Sequence, residues 1–358
     1  MTSQDYAQRT FQVAVVRDLL ADIFIAAGLS RAGAKEVSLA LIEADQQALP
    51  SHGVLQAENY VNYLEAGMAK PADEPASVED RGAVTVIDAG HMLGHLVAGK
   101  AMKHAMQSAR QFGIGVSSVR HSFHFGAAGR YAKMAADDNL VGVCMTNARA
   151  VMPAPGGAEP LVGTNPLAIA VPAGEHPPVV FDMATSQGAL GKIHMARQAG
   201  KPIPDDWAVD SDGAPTTDPV AALAGLLLPA AGPKGFGLSF MIDLLSATLS
   251  AGAPGTEIGP MKGKLTKPMD CSHLFIALDP AFFRPTEDFL SDVDVAVERV
   301  KSSRRAAGTD ELFVPGERKH RAIHASPDAV ILSPAAQASL AILARDRGVP
   351  LPDEWEQT

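Results

Sequence analysis

The sequence predicts an α/β or α+β fold, in which a small helical layer accompanies a sheet whose strands alternate with helices. Between residue 11 and about residue 67, apolar residues such as Leu19 and Ile23 recur in steps of three and four, the period of an amphipathic helix. After a Pro-rich stretch at 70–75, short β-rich runs alternate with helical patterns, as in layered folds with a covered sheet. From about residue 286 the pattern is helical again, and we expect this tail to return to the N-terminal helices.

The individual elements follow from local signals. Gly28 stands where a helix C-terminal cap belongs and Ser30 where the next N-cap belongs, so two helices meet there. Ser333 and Pro334 indicate the N-cap and first position of a C-terminal helix. The predicted strands are Val84–Asp88, 114–119, 140–146, 167–172, 179–181 and 274–277. The helical patterns between them cover 95–111, 126–137, 187–199 and 235–250.

Composition narrows the class of partner. The chain has 358 residues, 47% hydrophobic and 20% charged, and its net charge of -10 disfavours binding to nucleic acid or anionic membranes. The two cysteines offer no disulfide framework, which suits a reducing compartment. The start, MTSQDYAQRT, lacks the features of a secretory signal, and the longest near-apolar run, 220–232, falls short of the roughly 20 residues that span a bilayer. We therefore expect a cytoplasmic protein that acts on a small molecule.

Two glycine-rich segments could hold a cofactor phosphate. No G-x-G-x-x-G or G-x-x-x-x-G-K-[ST] motif occurs in the sequence, so any nucleotide must be held in another way. At 124–129 and 232–237, small residues stand at predicted helix N-termini, where backbone N–H groups can approach an anion, and Lys234 adds a charge to the second segment. For either segment taken alone, the glycines are equally explained by close packing at the start of a helix.

Ser51 and His52 form the clearest acid/base pair. They lie with Gly53 between two helical patterns, and Tyr60 follows His52 by about two helical turns. A histidine titrates near neutrality and can exchange a proton with the oxygen of a carbonyl/carbinol pair, while a neighbouring hydroxyl orients it. The same pair also fits a helix cap beside a surface imidazole. No G-x-S-x-G elbow supports a serine nucleophile.

Other polar residues carry weaker signals. His121 and His124 lie three apart and His91 and His95 four apart, but no H-E-x-x-H pattern accompanies them, so we expect no metal site. Asp182 closes a predicted strand, which places Lys192 two turns into the helix that follows. An N-cap followed by an exposed lysine explains this spacing equally well.

Taken in order, several segments resemble the type-2 malate/L-lactate dehydrogenase family, which also includes ureidoglycolate and sulfolactate dehydrogenases and piperideine-carboxylate reductases. The resemblance spans nearly the whole chain. Its carriers are SHGV at 51–54, HSFHFGAAGRYA at 121–132, MPAPGG at 152–157, GTNPLA at 163–168, FDMATS at 181–186, GKI at 191–193, GAPTTDP at 213–219, GPKGFGL at 232–238, FIALDP at 275–280 and PGER at 315–318. The resemblance implies a non-Rossmann fold, with a helical domain from both chain ends (1–78 and 300–358), an α/β domain with a mixed sheet (79–299), and a homodimer.

The resemblance also implies roles for individual residues. His52 would be the acid/base, Ser51 its relay partner, and His124 and Lys192 further catalytic residues. Substrate would contact Gln56, Tyr60 and Thr164. The cofactor, NAD or NADP, would contact His124, Phe125, Gly126, Ala127, Ala128, Asp182, Met183, Ala184, Lys234, Gly235, Pro315, Gly316, Glu317 and Arg318.

Two positions bear on the substrate. The imine reductases usually carry Asp where this chain has Lys192, which favours an oxygen substrate. The family generally has Arg, a bidentate carboxylate clamp, where this chain has Gln56, and an amide provides fewer donors and no charge. The substrate carboxylate is then held elsewhere, or the substrate is atypical.

We therefore expect an NAD(P)-dependent enzyme that interconverts a 2-hydroxy acid and a 2-oxo acid. The cations Arg318, Lys319 and Arg321 stand beside the predicted cofactor loop and are compatible with the 2′-phosphate of NADP. The alternatives are a cyclic-imine reductase, a metal-dependent hydrolase that uses His121 and His124, and a catalytically silent member of the family.

Overall fold

The computed structural model of the protein describes residues 8–356, so most of the polar N-terminal segment, predicted not to be a secretory signal, lies outside the described residues. The helices of the described part are α1 (Val13–Ala26), α2 (Arg31–Gln46), α3 (Ala57–Glu65), α4 (Gly94–Phe112), α5 (Ala128–Ala136), α6 (Leu190–Gln198), α7 (Pro219–Ala224), α8 (Pro233–Asp243), α9 (Thr286–Lys301), α10 (Glu317–Ala325), α11 (Pro334–Asp346) and α12 (Asp353–Glu356). The strands are β1 (Arg9–Gln12), β2 (Ser77–Asp80), β3 (Val84–Asp88), β4 (Ile114–Ser122), β5 (Val141–Thr146), β6 (Leu167–Val171), β7 (Val179–Met183), β8 (Ala208–Val209), β9 (Leu226–Leu227), β10 (Cys271–Leu278) and β11 (Ala329–Leu332).

The centre of the fold is a seven-stranded mixed sheet in the order β2-β3-β4-β10-β5-β6-β7. Only the β3–β4 pair within it is parallel, and the other neighbours are antiparallel. Helices α4 and α5 pack on one face, α4 mainly against β4 and α5 mainly against β5. The α/β (α+β) class with a mixed sheet and helices from both chain ends is confirmed.

All six predicted strands are present, and their bounds differ from the prediction by at most three residues at either end. The predicted helix at 235–250 is a regular α-helix only as far as Asp243, and residues 244–248 continue it as a π-helix. The predicted helix at 187–199 begins at Leu190, so Lys192 lies in its first turn and the expected two-turn offset was wrong.

The helix signals at the chain ends are confirmed by their caps. The Ser30 hydroxyl accepts a hydrogen bond from the Gly33 amide at the start of α2. The Ser333 hydroxyl accepts one from the Ala336 amide, directly before Pro334 in α11. Side-chain oxygens at these positions satisfy amides that the first helical turn leaves unpaired.

The two chain ends come together, as expected of the tail. Strand β1 pairs antiparallel with β11, and Phe11 stacks on Trp355 with ring centroids 4.3 Å apart. Phe11 therefore lies in a strand, and the expectation of helix from residue 11 was wrong at its first two residues. A pairing between residues more than 300 positions apart gives no local sequence pattern.

One continuous core joins the end helices to the sheet. The division into a helical domain of 1–78 with 300–358 and an α/β domain of 79–299 stays a prediction.

Three connections bring polar residues to one region beside the sheet. The turn at 47–53 joins α2 to the short 3-10 helix before α3. The loop at 123–127 joins β4 to α5, and β7 ends at Met183 on the strand next to β6. No helix of the described chain is both long and apolar enough to cross a membrane.

Candidate active site

His52 lies in the turn between α2 and the 3-10 helix Val54–Gln56. Its backbone amide donates to the Leu49 carbonyl at 2.9 Å, and its ring Nδ1 lies 2.9 Å from the Ser51 hydroxyl. Because this contact occupies Nδ1, the Nε2 atom is left for a ligand. The Ser51 hydroxyl thus contacts the half-buried imidazole, and its role in orienting the ring stays a prediction.

The surroundings of His52 shift its pKa. Burial lowers the pKa of His52 below its usual value near 6.5, the nearby Asp182 carboxylate raises it, and the Lys319 ammonium lowers it, with burial the largest effect. His52 is therefore mainly neutral at pH 7, and its two charged neighbours act on its pKa in opposite directions.

His124, on the loop before α5, faces His52 with ring centroids 5.5 Å apart. Its Nδ1 lies 2.7 Å from the Tyr60 hydroxyl and accepts a hydrogen bond from the Gly126 amide at 3.4 Å. Burial raises the pKa of Tyr60 well above 10 and lowers the pKa of His124 well below 6.5. Two donors on Nδ1 place the proton of the neutral ring on Nε2, so His124 presents an N–H donor.

Asp182 stands at the end of β7, next to the start of α5. Its Oδ2 pairs with the Lys319 ammonium at 3.1 Å and would lie 2.9 Å from a Cβ on Gly129. Glycine at 129 is thus required by the close approach of this carboxylate. The pair brings β7, α5 and α10 together around one point.

The two glycine-rich helix N-termini differ in their surroundings. Helix α5 begins after Ala127 with no side-chain cap, so its first amides remain available to an anion. Helix α8 also begins without a side-chain cap, but a Cβ on Gly235 would lie 2.2 Å from the Ala230 carbonyl. Packing therefore explains glycine at 235. Lys234 is exposed beside it, and the Ala230 amide donates to the Thr185 carbonyl, which ties this segment to the end of β7.

A cavity of about 420 Å³ lies between α2, α5, β7 and α10. Asp182 and Gly316, both predicted to bind cofactor, line it together with Gly129, which follows Ala128. Lys319 and Arg130 also line it, and Arg130 pairs with Glu36 and Glu43 of α2. The cavity is therefore a mainly apolar cleft beside the start of α5, and its lining includes the cations Lys319 and Arg130.

The loop at 315–318 packs along β7, because the Pro315 carbonyl accepts from the Val180 amide at 3.0 Å. Glu317 forms two ion pairs, with Lys301 at 2.5 Å and with Arg321 at 2.6 Å. Arg318 lies over the Phe313 ring at 4.3 Å from its centroid. Gly316 is the member of this loop that lines the cavity, and Glu317 and Arg318 hold the loop in place.

Other predicted residues take up positions around the same region. Phe125 is buried and stacks on His273 at 4.6 Å between centroids, so its side chain belongs to the core. The Thr164 carbonyl accepts from the Thr185 amide at 3.1 Å, which places Thr164 beside Met183 and Ala184. A Cβ on Gly191 would lie 3.9 Å from that of Ser51, so the start of α6 lies next to the His52 turn.

Lys192 and Gln56 have partners of their own. The exposed Lys192 ammonium lies 5.7 Å from the centroid of the Trp207 ring. Gln56 donates to the Ser51 carbonyl at 2.6 Å and accepts from Asn59 at 2.8 Å. The Gln56 amide therefore braces the Ser51–His52 turn and keeps one N–H for another partner.

Two polar residues that touch this region were not among the predicted site residues, although His95 was considered with His91 as a metal-spacing pair. The Asp45 carboxylate accepts from the Val54 amide at 2.8 Å. His95 is buried beside Tyr60, with 5.1 Å between the ring centroids, and neither ring nitrogen has a hydrogen-bond partner in the described chain. Burial lowers the pKa of His95 to about 3. Both residues lie in regular helical patterns that gave no signal of this contact.

The described residues contain no group of three or more His, Cys, Asp or Glu side chains that could hold a metal ion. His121 turns instead to Asp88, with its Nδ1 2.9 Å from the Asp88 Oδ2 atom. His121 and His124 therefore do not share a ligand.

Several known proteins resemble this chain over most of its length. Residues 11–338 match the family model described as malate/L-lactate dehydrogenase. The chain is 37% identical over 308 residues to the L-sulfolactate dehydrogenase of Methanocaldococcus jannaschii, which covers 85% of this chain and 88% of that protein. It is 35% identical over 291 residues to the ureidoglycolate dehydrogenase (NAD(+)) of Escherichia coli O157:H7, covering 81% and 83%.

The fold has a counterpart among solved structures. The crystal structure of malate dehydrogenase from Entamoeba histolytica matches with a TM-score of 0.90 and 28% identity, over 97% of this chain and 100% of that one. Sequence and structure therefore agree. The chain belongs to the malate/L-lactate dehydrogenase family.

Proposed function

We propose that the protein is an NAD(P)-dependent oxidoreductase that interconverts a 2-hydroxy acid and a 2-oxo acid, with His52 as the acid/base. The observation that carries the proposal is the pair of facing imidazoles, one free at Nε2 and the other fixed as an N–H donor. Relatives in the family are NAD(+)- or NADP(+)-dependent dehydrogenases of 2-hydroxy acids. An assay of NADH and NADPH oxidation with a panel of 2-oxo acids tests the proposal.

The residues present fit a dinucleotide cofactor. The uncapped α5 N-terminus offers backbone N–H groups to a pyrophosphate, and its small residues allow close approach. The adjoining cavity has room for part of a nucleotide and carries Lys319 and Arg130. When bound, the cofactor supplies or accepts the hydride. Ala127, Ala128 and Gly316 would hold it mainly through the backbone.

The chain's own residues account for the movement of the proton. In the reducing direction, negative charge develops on the substrate oxygen, where a protonated His52 Nε2 can donate and the neutral His124 Nε2–H can add a second hydrogen bond. Ser51 holds His52 through Nδ1 and Tyr60 holds His124 through Nδ1. In the oxidising direction, neutral His52 takes the proton from the hydroxyl.

Several cations lie on and near α6, whose start is next to Ser51, and they suit an anionic substrate. Lys192 lies on the helix next to Ser51. Burial lowers the pKa of His194 on that helix, and the nearby cations Arg197 and Lys262 lower it further. Cations around a cleft attract a carboxylate and raise its local concentration. We propose that this region and the free N–H of Gln56 receive the substrate carboxylate.

Replacing Gln56 with arginine should change the substrate preference. Gln56→Arg adds a bidentate partner for a carboxylate, so we expect kcat/KM for small 2-oxo acids such as pyruvate and oxaloacetate to rise about tenfold relative to bulkier ones. Steady-state kinetics across the panel measures this. Gln56→Lys, which brings charge without the planar fork, should give a smaller gain. An unchanged profile in Gln56→Arg would remove residue 56 from the substrate site.

We also propose that the protein is a homodimer. On the sheet face opposite α4 and α5, one register row crosses six strands with aliphatic or aromatic side chains that are half-buried or exposed. The row consists of Val84, Val116, Ile276, Val143, Ile169 and Phe181. Helix α8 packs against the middle of this row through Ile242 and exposes Phe240 and Met241, and Leu249, directly after the π-helical extension, is also exposed. Contiguous apolar surface of this extent is typical of an interface, and the second copy is the occupant that the family resemblance implies.

A charged double substitution on this surface should separate the subunits. Met241→Glu with Leu249→Glu places two carboxylates on side chains that are 51% and 64% exposed, so folding should tolerate them while a desolvated interface should not. We expect light scattering after size exclusion to give the monomer mass. Ile342→Glu on α11, at a site 53% exposed, is the matched control and should leave the dimer intact. A dimer in both variants would place the interface elsewhere.

A further inference from the structure

We propose that Asp45 is a positioning residue of the active site, whose carboxylate fixes the His52 turn and the start of the helix that carries Tyr60. The inference rests on the proposed roles of His52 and Tyr60. It concerns a residue of α2 that lies seven positions before His52 and outside every motif described above.

The contact is specific and comes from another element of the fold. The Asp45 Oδ2 atom accepts a hydrogen bond from the Val54 amide at 2.8 Å. Val54 is the first residue of the 3-10 helix that continues into α3, and Gly53, which precedes it, supplies no side-chain cap. Asp45 on α2 therefore accepts the hydrogen bond from the first helical amide that an N-cap residue usually accepts.

The carboxylate also occupies the space above Gly53. A Cβ on Gly53 would lie 2.3 Å from the Asp45 Cγ and Oδ1 atoms and 2.4 Å from Oδ2. The backbone of Gly53 is extended, with φ at -89°, so the shape of the turn does not demand glycine. Glycine is needed at position 53 because the Asp45 carboxylate occupies the space that a Cβ would take. Gly53 and Asp45 thus form one interlocking unit beside His52.

The charge of Asp45 fits this use. Burial raises its pKa to about 6, so the group is mainly ionised at neutral pH, and no described cation pairs with it. An unpaired and largely buried carboxylate costs free energy unless it has a strong partner. Its partner is the amide at the start of a helix, where the helix dipole favours negative charge.

Both catalytic imidazoles depend on this unit. His52 lies one residue before Gly53, and Tyr60, on α3 behind the 3-10 helix, hydrogen-bonds His124 at 2.7 Å. A shift of the Val54 amide would move His52 on one side and Tyr60 on the other. Helix α2 also lines the cofactor cavity, but through residues such as Glu43 and Gln46 and not through Asp45 or Gly53, so cofactor affinity should respond to the unit less than kcat does.

The test compares kcat with cofactor affinity in three variants of the full-length protein. Asp45→Ala removes the acceptor, and we expect kcat to fall by roughly 10- to 100-fold, the scale for misplacing reacting groups by about an ångström. The Kd for NADH or NADPH, measured by fluorescence, should change by a clearly smaller factor than kcat. Asp45→Asn keeps an acceptor oxygen and should retain kcat within about threefold of the wild type. Gly53→Ala pushes the carboxylate aside and should reproduce the loss of kcat even if Asp45→Ala fails to fold.

The double variant gives the sharpest discrimination. Once Asp45→Ala has removed the carboxylate, Gly53→Ala has nothing left to displace, so the double variant should have the kcat of Asp45→Ala alone. Additive losses, full activity in Asp45→Ala, or equal losses of kcat and cofactor affinity would overturn the proposal. A wild-type protein without cofactor binding or turnover would instead contradict the proposed function.

Discussion

His52→Ala is expected to lower kcat by about 10²-fold or more while cofactor affinity stays nearly intact. In the proposed mechanism the imidazole acts on the charge that develops in the transition state, and its Nδ1 contacts Ser51, so its loss should remove a catalytic interaction more than a binding one. The cavity beside α5 does not include His52 among its lining residues. Steady-state kcat and a fluorescence titration with NADH or NADPH measure the two quantities separately.

The pH dependence gives this prediction a second readout. Because burial lowers the pKa of His52, oxidation of a 2-hydroxy acid, which needs the neutral ring, should persist below pH 6.5 and then fall as pH drops through that lowered pKa. Reduction, which needs the protonated ring, should fall as pH rises through it. His52→Ala should lose this dependence, whereas His104→Ala on α4 should keep the wild-type profile. An unaltered profile in His52→Ala would assign the proton to another group.

His124→Ala is expected to weaken the cofactor at least as much as it slows turnover. His124 belongs to the loop that leads into the α5 N-terminus, and its loss leaves the buried Tyr60 hydroxyl without its partner. We expect a rise of about tenfold or more in the cofactor Kd, since an unpaired buried polar group costs about 1–3 kcal/mol. Isothermal titration with the cofactor measures the rise directly.

The matched control is His121→Ala, three positions earlier in the same segment. His121 contacts Asp88 rather than the site, so we expect cofactor affinity and kcat close to the wild type. Should His124→Ala abolish turnover with normal cofactor binding while His52→Ala stays active, the two histidines have exchanged roles. Loss of activity in both His121→Ala and His124→Ala would support the alternative in which both histidines bind a metal ion in a hydrolase.

The sheet was predictable because its strands carry their own signal. Runs such as Val84–Asp88 are rich in β-branched residues and bounded by turn residues. In the sheet, alternate residues of this run are buried, as expected for a strand. Strands β1 and β11 were missed because each has four residues and gains its stability from a partner at the other end of the chain. The π-helical stretch after Asp243 was missed because it keeps an apolar composition that a regular helix also shows.

The site was predictable where one short segment carries two interacting groups. Ser51 and His52 are adjacent, so their contact follows from the sequence. The bond between Tyr60 and His124, and the pairing of Asp182 with Lys319, join segments far apart in the chain and depend on the packing of α3, α5, β7 and α10. The fixed Nε2–H of His124 rests on that packing, so no spacing in the sequence could indicate it.

Hydride transfer from a labelled cofactor tests the central proposal most directly. The purified protein is incubated with NADH or NADPH carrying deuterium at C4 of the dihydronicotinamide, in separate mixtures with 2-oxo acids and with cyclic imine carboxylates, and the products are analysed by mass spectrometry. The proposed function predicts deuterium at C2 of a 2-hydroxy acid with at least one 2-oxo acid. Deuterium only in a reduced cyclic amine, or no transfer from either cofactor to any substrate, would contradict it.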